Sequence, residues 1–258
     1  MNLVFEAVLL GLLQGLTEFL PISSSGHVAI GMQLLGWDPG GNLGFLVAVH
    51  LGSLGAVLVF SFKEIRAMLT TRPRLLLVVV VATVPLAVVG LMAKDVVEEL
   101  SRNLYAVGGF LLLTGALLAY ARTRDEGTGT SERLSLGRAA LVGLAQAAAI
   151  LPGVSRSGST LAAGLTAGLE REQAVRFAFL LAAPAIAGAG LLLALKGEWG
   201  EGIPLAATLA GTVVSFVASL VAMKVMVRVV ARRRLGWFAV YCAAVGLFAI
   251  GYAFTLTR

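Results

Sequence analysis

The hydrophobic positions of this chain fall into long runs that are separated by short polar connections. A helix that crosses a bilayer needs about 20 predominantly apolar residues, and six runs come close to that length or reach it. These runs lie at 43–61, 75–93, 104–121, 174–195, 204–227 and 236–256. The pattern therefore predicts an all-α protein with six transmembrane helices.

Two further apolar stretches are interrupted by proline, serine and glycine. Residues 3–20 are followed by the letters PISSSG and a short run at 28–36, and residues 139–151 by PGVSRSGS and a short run at 161–169. Such a broken backbone is tolerated at membrane depth only where it is buried in protein or lines a wet cavity. We therefore predict two re-entrant helical hairpins. The alternative for 3–20 is an ordinary spanning helix, which its length would allow.

The two interrupted stretches share letters at a constant spacing of 132 positions. The letters GLLQ at 11–14 match GLAQ at 143–146, and SSSG at 23–26 matches SRSG at 155–158. This match indicates an internal repeat whose unit begins with a broken hairpin.

Each half of the chain then consists of one re-entrant hairpin and three transmembrane helices. The first repeat covers about 1–121 and the second about 138–258. Because three is an odd number, the second copy is inverted relative to the first, which brings the two hairpins together near the midplane. We expect one integral membrane domain over 1–258, a polytopic protein with an inverted-topology repeat.

Composition supports the membrane assignment and removes several other classes. Hydrophobic residues make up 58% of the chain, charged residues 13%, and the mean hydropathy is +0.92, which leaves too little polar surface for a soluble globule. The net charge of +6 is not gathered on one face with aromatic residues, so we expect no nucleic-acid partner.

Cys242 is the single cysteine, which excludes a disulfide within the chain. The first residues include Glu6 and lack a basic region and a cleavage site, which predicts mature sequence rather than a signal peptide.

The basic residues predict the orientation in the membrane. Of the 20 lysines and arginines, 15 lie in connections that share one side if the six spans cross and both hairpins turn back. These connections are 62–74, 122–138, 171–176 and 224–234. The positive-inside rule makes this side cytoplasmic and places both termini and the 94–102 loop outside. The first hairpin then enters from the outside and the second from the cytoplasm.

Polar residues at membrane depth are costly and mark function by default. Gln14 and Glu18 are four residues apart, on one face of the first arm, and point toward the break. His27 follows the first break, and Arg156 in the second carries a planar fork that suits phosphate oxygens. The breaks also hold Ser23, Ser24, Ser25, Gly26, Gly153, Ser155, Ser157, Gly158, Ser159 and Thr160. Glycines and helix starts favour a close anion, so we predict an anion site between the hairpins.

Each of these residues also has a purely structural alternative. In this alternative, Glu18 and Arg156 form an ion pair that only holds the bundle together. The serines beside a break then only cap helices, and His27 only binds the backbone at a helix start. We expect His50, inside the first span, to be a packing residue or a support for a residue of the site. An acid, a histidine, hydroxyls and an arginine from two hairpins together favour a reactive site.

At these residues the sequence resembles the undecaprenyl pyrophosphate phosphatase family of bacterial inner-membrane enzymes, which is also known for bacitracin resistance. QGLTE at 14–18 fits the family's Glu/Gln-x-x-x-Glu motif and leads into FLPISSSGH at 19–27, while PGVSRSGST at 152–160 fits its PGxSRSxxT motif. The resemblance implies hydrolysis of a polyprenyl diphosphate to the monophosphate and phosphate, which recycles the lipid carrier for peptidoglycan synthesis. It also implies a divalent cation, Mg²⁺ or Ca²⁺. Many relatives have glutamate where this chain has Gln14.

The resemblance assigns roles within the predicted site. We expect Glu18, Ser24, His27 and Arg156 to be catalytic, and Glu18 with Gln14 to meet the metal. The residues expected at the phosphate groups are Ser23, Ser25, Gly26, Ser155, Arg156, Ser157 and Thr160. The nucleophile is left open between Ser24 activated by His27, His27 itself and a metal-bound water, with Ser24 preferred.

A polyprenyl diphosphate substrate and membrane lipids are the expected partners, and a homodimer is left open. The alternative function is a polyprenyl-phosphate transporter or scramblase, because inverted repeats with broken helices also build secondary transporters. A potential nucleophile beside an arginine and a carboxylate favours the enzyme. A scaffold without activity would leave the charges of Glu18 and Arg156 at membrane depth unexplained.

Overall fold

The computed structural model describes residues 2–38, 41–124, 127–196 and 203–256. Within these ranges the chain forms twelve α-helices and one short 3₁₀ helix, Ser131–Arg133. The α-helices are α1 Leu3–Phe19, α2 Ser24–Leu34, α3 Leu43–Phe60, α4 Phe62–Thr70, α5 Pro73–Met92, α6 Lys94–Arg102, α7 Leu104–Arg122, α8 Leu136–Ala148, α9 Arg156–Thr166, α10 Arg171–Lys196, α11 Leu205–Ala231 and α12 Gly236–Leu256.

The six predicted spans are confirmed as helices. In the part of the chain that the structure describes, six helices are long and apolar enough to cross a membrane: α3, α5, α7, α10, α11 and α12. Their mean hydropathy over 18 residues lies between 1.8 and 2.8, and no more than half of each such window is buried inside the protein. The remaining apolar side chains face outward, as in a protein whose solvent is lipid.

Both interrupted stretches form a helix, a break and a second helix. α1 packs against α2, and α8 packs against α9. The second helices begin at Ser24 and Arg156, earlier than the runs at 28–36 and 161–169 that apolarity alone indicated. The reason is capping, because Ser23 and Ser155 accept hydrogen bonds from the backbone N–H groups of the first turn. The motif residues therefore lie in those first turns.

Helices from the two halves of the chain pack directly on one another. α1 lies along α11, α11 along α3, α5 along α8, and α7 along α12. A Cβ atom added at Gly11 would lie 2.2 Å from the backbone oxygen of Gly211, and one at Gly15 would lie 2.4 Å from that of Ser215. Small residues at these positions let the backbones of α1 and α11 touch.

A cluster of buried hydroxyls continues this contact. Ser219 Oγ lies 3.3 Å from the Gly15 carbonyl oxygen and 3.0 Å from Ser53 Oγ, and Ser215 donates to the Val49 carbonyl at 2.7 Å. In an apolar surrounding, a hydroxyl without a partner would be costly. The cluster therefore ties α1, α3 and α11 together beside the break after α1.

Two connections that the sequence left as loops are short helices. α4 lies between α3 and α5, and α6 lies between α5 and α7. Both are too short to span a membrane and carry charged side chains, so they do not stand out in the sequence as long apolar runs. Arg176 of α10 donates to Glu64 of α4 at 2.5 Å and to Glu172 of its own helix, which fixes α4 against the bundle.

Candidate functional site

The two breaks meet inside the bundle. A Cβ atom added at Gly26 would lie 3.2 Å from the Cα atom of Gly153, and one at Gly158 would lie 3.4 Å from the Pro21 side chain. Ser157 donates to the backbone oxygen of Leu20 at 2.8 Å, which joins the second break to the first. The predicted meeting of the motifs is therefore present in the structure.

Glu18 is the centre of the polar contacts. Its Oε2 accepts a hydrogen bond from Ser24 Oγ at 2.6 Å and from Gln14 Nε2 at 2.8 Å. Its Oε1 forms an ion pair with the guanidinium of Arg156. The side chain of Glu18 is 5% exposed and that of Arg156 is 16% exposed, so the two charges compensate each other largely out of solvent. The acid of the first motif and the arginine of the second motif thus touch.

The helices that follow the breaks start in matching ways. Ser23 Oγ accepts from Gly26 N at 3.4 Å and lies 3.2 Å from Ser25 Oγ. Ser155 Oγ accepts from Gly158 N at 3.1 Å and lies 3.2 Å from a second hydroxyl, that of Ser157. The starts of both helices line the same pocket, and the N–H groups and dipole of a helix start favour an anion.

The backbone at the first cap is unusual. Ser23 has φ 67° and ψ 95°, a region that side-chain-bearing residues seldom occupy and that costs about 1–3 kcal/mol. The break also holds Ser23 buried at 2% exposure. In the second break the positive φ of 108° falls on a glycine, Gly153, where it carries little cost.

His27 is held by two partners outside the Glu18 cluster. Its Nδ1 lies 2.8 Å from the Ser23 carbonyl oxygen, and its Nε2 lies 3.0 Å from the hydroxyl of Tyr241. Because a carbonyl only accepts, Nδ1 carries the hydrogen, which leaves Nε2 as the basic nitrogen of the neutral ring. Both nitrogens are thus engaged, and neither bond goes to Ser24.

Thr114 of α7 supports the second break. Its hydroxyl donates to the Gly153 carbonyl at 2.8 Å and accepts from the Ser155 backbone N–H at 3.0 Å. Thr160, which the sequence placed at the phosphate groups, donates to the Arg156 carbonyl at 2.8 Å. Both threonines hold the backbone that carries Arg156.

A pocket of about 350 Å³ lies at the junction. Of the predicted site residues, those that line it are Glu18, Ser23, Ser24, Ser25, Ser155 and Arg156. Gln14, Gly26, His27, Ser157 and Thr160 are not among its lining residues and lie behind or beside it. The rest of its lining is apolar apart from His50 and comes from α3, α5, α6, α10 and the second break. The pocket therefore combines a polar, charged part with apolar walls.

Three further residues belong to this arrangement: His50, Tyr241 and Thr114. The sequence predicted a packing or supporting role for His50 and no role for the other two. His50 lines the pocket, its Nε2 lies 3.7 Å from Glu18 Oε2, and its Nδ1 bonds the Leu46 carbonyl at 2.7 Å. The expectation that His50 supports another residue of the site agrees with this position. Thr114 and Tyr241 stand within apolar spans. Their own polar groups are the signal in the sequence that could have pointed to them.

Candidate oxygen donors for a divalent cation lie near Glu18. The described residues contain no group of three or more His, Cys, Asp or Glu side chains that could hold a metal ion. However, Gln14 Oε1 is buried without a hydrogen-bond partner, and the Ser24 hydroxyl adjoins the carboxylate. Because Gln14 contacts Glu18 through Nε2, its amide would have to turn over for the oxygen to share a cation with that carboxylate. A carboxylate, an amide oxygen and a hydroxyl fit a hard cation that takes its other ligands from phosphate oxygens and water.

The fold and the site together define a multi-pass membrane protein with a carboxylate–arginine pocket between two broken helical segments. A family model described as bacitracin resistance protein BacA matches residues 7–248. The chain belongs to this family, as the resemblance of its two motifs indicated.

Several proteins named undecaprenyl-diphosphatase are similar to the chain over nearly its full length. The one from Desulforapulum autotrophicum is 39% identical over 271 residues, which cover 96% of this chain and 97% of that protein. The one from Bacteroides fragilis is 40% identical over 262 residues, with 95% and 97% covered. The one from Methanosphaera stadtmanae is 34% identical over 274 residues, with 96% and 97% covered.

Proposed function

We propose that this protein hydrolyses undecaprenyl diphosphate to the monophosphate and inorganic phosphate, and so recycles the lipid carrier for peptidoglycan synthesis. The observation that carries the proposal is the contact of Glu18 with both Ser24 and Arg156 at the base of an apolar-walled pocket. An anionic head and an apolar tail suit these two environments. The names of the similar proteins support the same activity.

Binding of the terminal phosphoryl group falls to Arg156 and the two helix starts. The guanidinium uses one N–H group for Glu18, and its fork has others for phosphate oxygens. The N-termini of α2 and α9 add backbone N–H groups and favourable dipoles. Phosphoryl transfer depends mostly on such positioning and charge neutralisation.

Ser24 is the proposed nucleophile: its Oγ attacks the terminal phosphorus, the P–O bond to the lipid monophosphate breaks, and water then hydrolyses the phosphoserine to release inorganic phosphate. Its hydroxyl already donates to Glu18, which orients the oxygen within the pocket. His27 is the proposed base of the site, since the Ser23 carbonyl holds its ring with Nε2 able to accept a proton. For that role the ring must exchange its Tyr241 partner for the reacting group, because Tyr241 occupies Nε2 in this structure.

A divalent cation, Mg²⁺ or Ca²⁺, would be held through Glu18 and Gln14. When bound, such an ion neutralises charge on the phosphate oxygens. One carboxylate and one amide would hold such a cation only weakly, so the affinity of the protein for the cation should be low in the absence of the lipid diphosphate.

Chelation and a single substitution test the metal. We expect EDTA to abolish phosphate release and added Mg²⁺ or Ca²⁺ to restore it. Gln14→Glu should lower the cation concentration needed for half-maximal activity about tenfold, because a carboxylate replaces an amide oxygen. Gln146→Glu is the matched control, because Gln146 occupies the equivalent position of the second stretch and donates to the Ala82 carbonyl at 3.3 Å. Turnover that is unaffected by chelators would show that the reaction does not need a metal ion.

The arrangement of the helices supports an inverted repeat of two re-entrant hairpins, each with three spans. The first arm of each hairpin packs on the second span of the other half, α1 on α11 and α8 on α5. The matching caps at Ser23 and Ser155 add local agreement between the two halves. We propose that this repeat extends over about 1–121 and 138–258.

The proposed site is in a bacterial inner membrane and opens to the outside. The walls of the pocket include the last half of α5, which leads into the 94–102 segment, and Val97 of that segment. The distribution of basic residues places that segment and both termini outside.

Cysteine labelling tests the orientation. In a Cys242→Ala background, single cysteines at residues 100 and 256 should react with an impermeant maleimide from outside, whereas cysteines at 71 and 130 should react only after the membrane is opened. The control is the parent Cys242→Ala protein, which contains no cysteine and should not react. Cys242 itself is 0% exposed, so its labelling would not report on which side of the membrane a segment lies. Labelling of residue 130 in intact cells would refute the arrangement.

The direct test of the activity is phosphate release from undecaprenyl diphosphate by the purified protein in detergent, with and without EDTA. The proposal expects release that needs both a cation and Glu18, so Glu18→Gln should be inactive. The absence of release with every cation would overturn the enzyme and favour the transporter alternative.

A further inference from the structure

An apolar groove between α5 and α10 runs into the pocket from its side. The groove encloses about 420 Å³ and the pocket about 350 Å³. Four side chains line both spaces: Leu86, Ile150, Ala185 and Ala189. Because the two spaces share these side chains, they adjoin each other. The groove therefore extends from beside the pocket that holds Glu18 and Arg156 to the outward-facing surface of the bundle.

The far end of the groove is open to the bilayer. Leu91, Leu191 and Leu195 line it and are 70%, 61% and 77% exposed. Gly188 stands on the same wall, and a Cβ atom added there would meet no atom within 4 Å. Pro184 also lines the groove within α10, and a proline inside a helix removes a backbone bond and bends the chain. The groove is thus an uncovered apolar channel.

A second groove in the structure lacks this connection. It encloses about 540 Å³ between α7, α8 and α9. Val154 is the residue that lines both this groove and the pocket, and it is 4% exposed. This groove therefore adjoins the pocket at one buried side chain, whereas the α5–α10 groove adjoins it along four residues.

We propose that the α5–α10 groove binds the polyprenyl tail of the substrate while the diphosphate lies at Glu18 and Arg156. This assignment rests on the proposed function, because it requires a lipid diphosphate as the ligand. A tail that is covalently attached to a head in the pocket has to leave by a continuous apolar path to remain out of water. The groove supplies that path and opens where the rest of the tail can stay in the bilayer. Residues along it therefore determine how substrate binding depends on the length of the chain.

Gly188→Trp tests the groove, because the indole has room to fill it from an open position. We expect kcat/KM for undecaprenyl diphosphate to fall roughly tenfold or more, mainly through KM. For farnesyl diphosphate the loss should be much smaller, because less of its chain lies beyond the pocket. Gly188→Leu should give an intermediate loss in the same order. Thermal stability is measured in parallel for each variant.

Gly109→Trp is the matched control, because Gly109 is an exposed helical glycine on α7 that also has no atom within 4 Å of an added Cβ. It should leave both substrates unchanged. Equal losses for the two substrates, or none, in a stably folded Gly188→Trp would overturn the groove assignment while leaving the proposed function intact. Equal losses would indicate that the groove holds a structural membrane lipid. Wild-type protein that releases no phosphate from either substrate would overturn the proposed function and the groove assignment together.

Discussion

Arg156→Lys should reduce kcat/KM for the lipid diphosphate about 100-fold or more while the protein still inserts and folds. The arginine serves two anions, since it pairs with Glu18 and faces the pocket. A lysine keeps the positive charge that Glu18 needs, but its single ammonium cannot also present a planar fork to phosphate oxygens. The measurement is phosphate release against substrate concentration, with thermal stability of the purified protein alongside.

Arg156→Ala should be worse, because it also leaves Glu18 buried without its countercharge. An uncompensated buried charge costs about 3–5 kcal/mol, so this variant should lose stability as well as activity. Arg138→Lys is the matched control, because Arg138 bonds the Ala167 carbonyl at 3.1 Å and lies outside the pocket. Near-normal turnover in Arg156→Lys would mean that the arginine is only a structural partner of Glu18.

His27→Ala should lower kcat about 100-fold or more and leave the affinity for the lipid diphosphate largely unchanged. The reason is that His27 is assigned to proton transfer, whereas Arg156 and the helix starts hold the phosphate groups. Tyr241→Phe should cost only a few-fold in kcat, because the Tyr241 hydroxyl only occupies Nε2 until the reacting group replaces it. Turnover, substrate binding and thermal stability are measured for each variant.

The same experiment separates catalysis from structure. The ring of His27 is 6% exposed and bonds two neighbours, so its loss could act through packing alone. A structural role predicts that stability and affinity fall in step with the rate, and that His27→Gln, which keeps a polar side chain, restores most of the activity. Either result would show that Ser24 passes its proton elsewhere, with Glu18 as the neighbouring acceptor.

Much of the architecture could be read from the sequence because lipid imposes simple rules. A spanning helix must be long and apolar, and α3, α5, α7, α10, α11 and α12 are all found where such runs occur. The contact between Glu18 and Arg156 was also predictable, since charges at membrane depth need partners. The boundaries of α2 and α9 were less so, because capping by a serine extends a helix into residues that look like a loop.

The contacts that hold the site residues in place could not be predicted from the sequence. His27 and Tyr241 are 214 positions apart, and nothing in an apolar run marks which tyrosine faces a histidine. The same holds for Thr114, which reaches Gly153 and Ser155 across 39 and 41 positions. Such pairings depend on the rotation of each helix about its axis, which helix packing sets and local pattern does not.

The glycine contacts between α1 and α11 also determine how the molecule can move. Added Cβ atoms at Gly11 and Gly15 would lie within 2.4 Å of backbone oxygens, so there is no layer of side chains along which these helices could slide. α1 belongs to the first half of the chain and α11 to the second, and carriers with inverted repeats alternate their access by rocking one half against the other. Such rocking would have to break this seam. The close contact of α1 with α11 therefore favours a site that stays in place and to which the lipid diffuses, over one that moves across the membrane with its ligand.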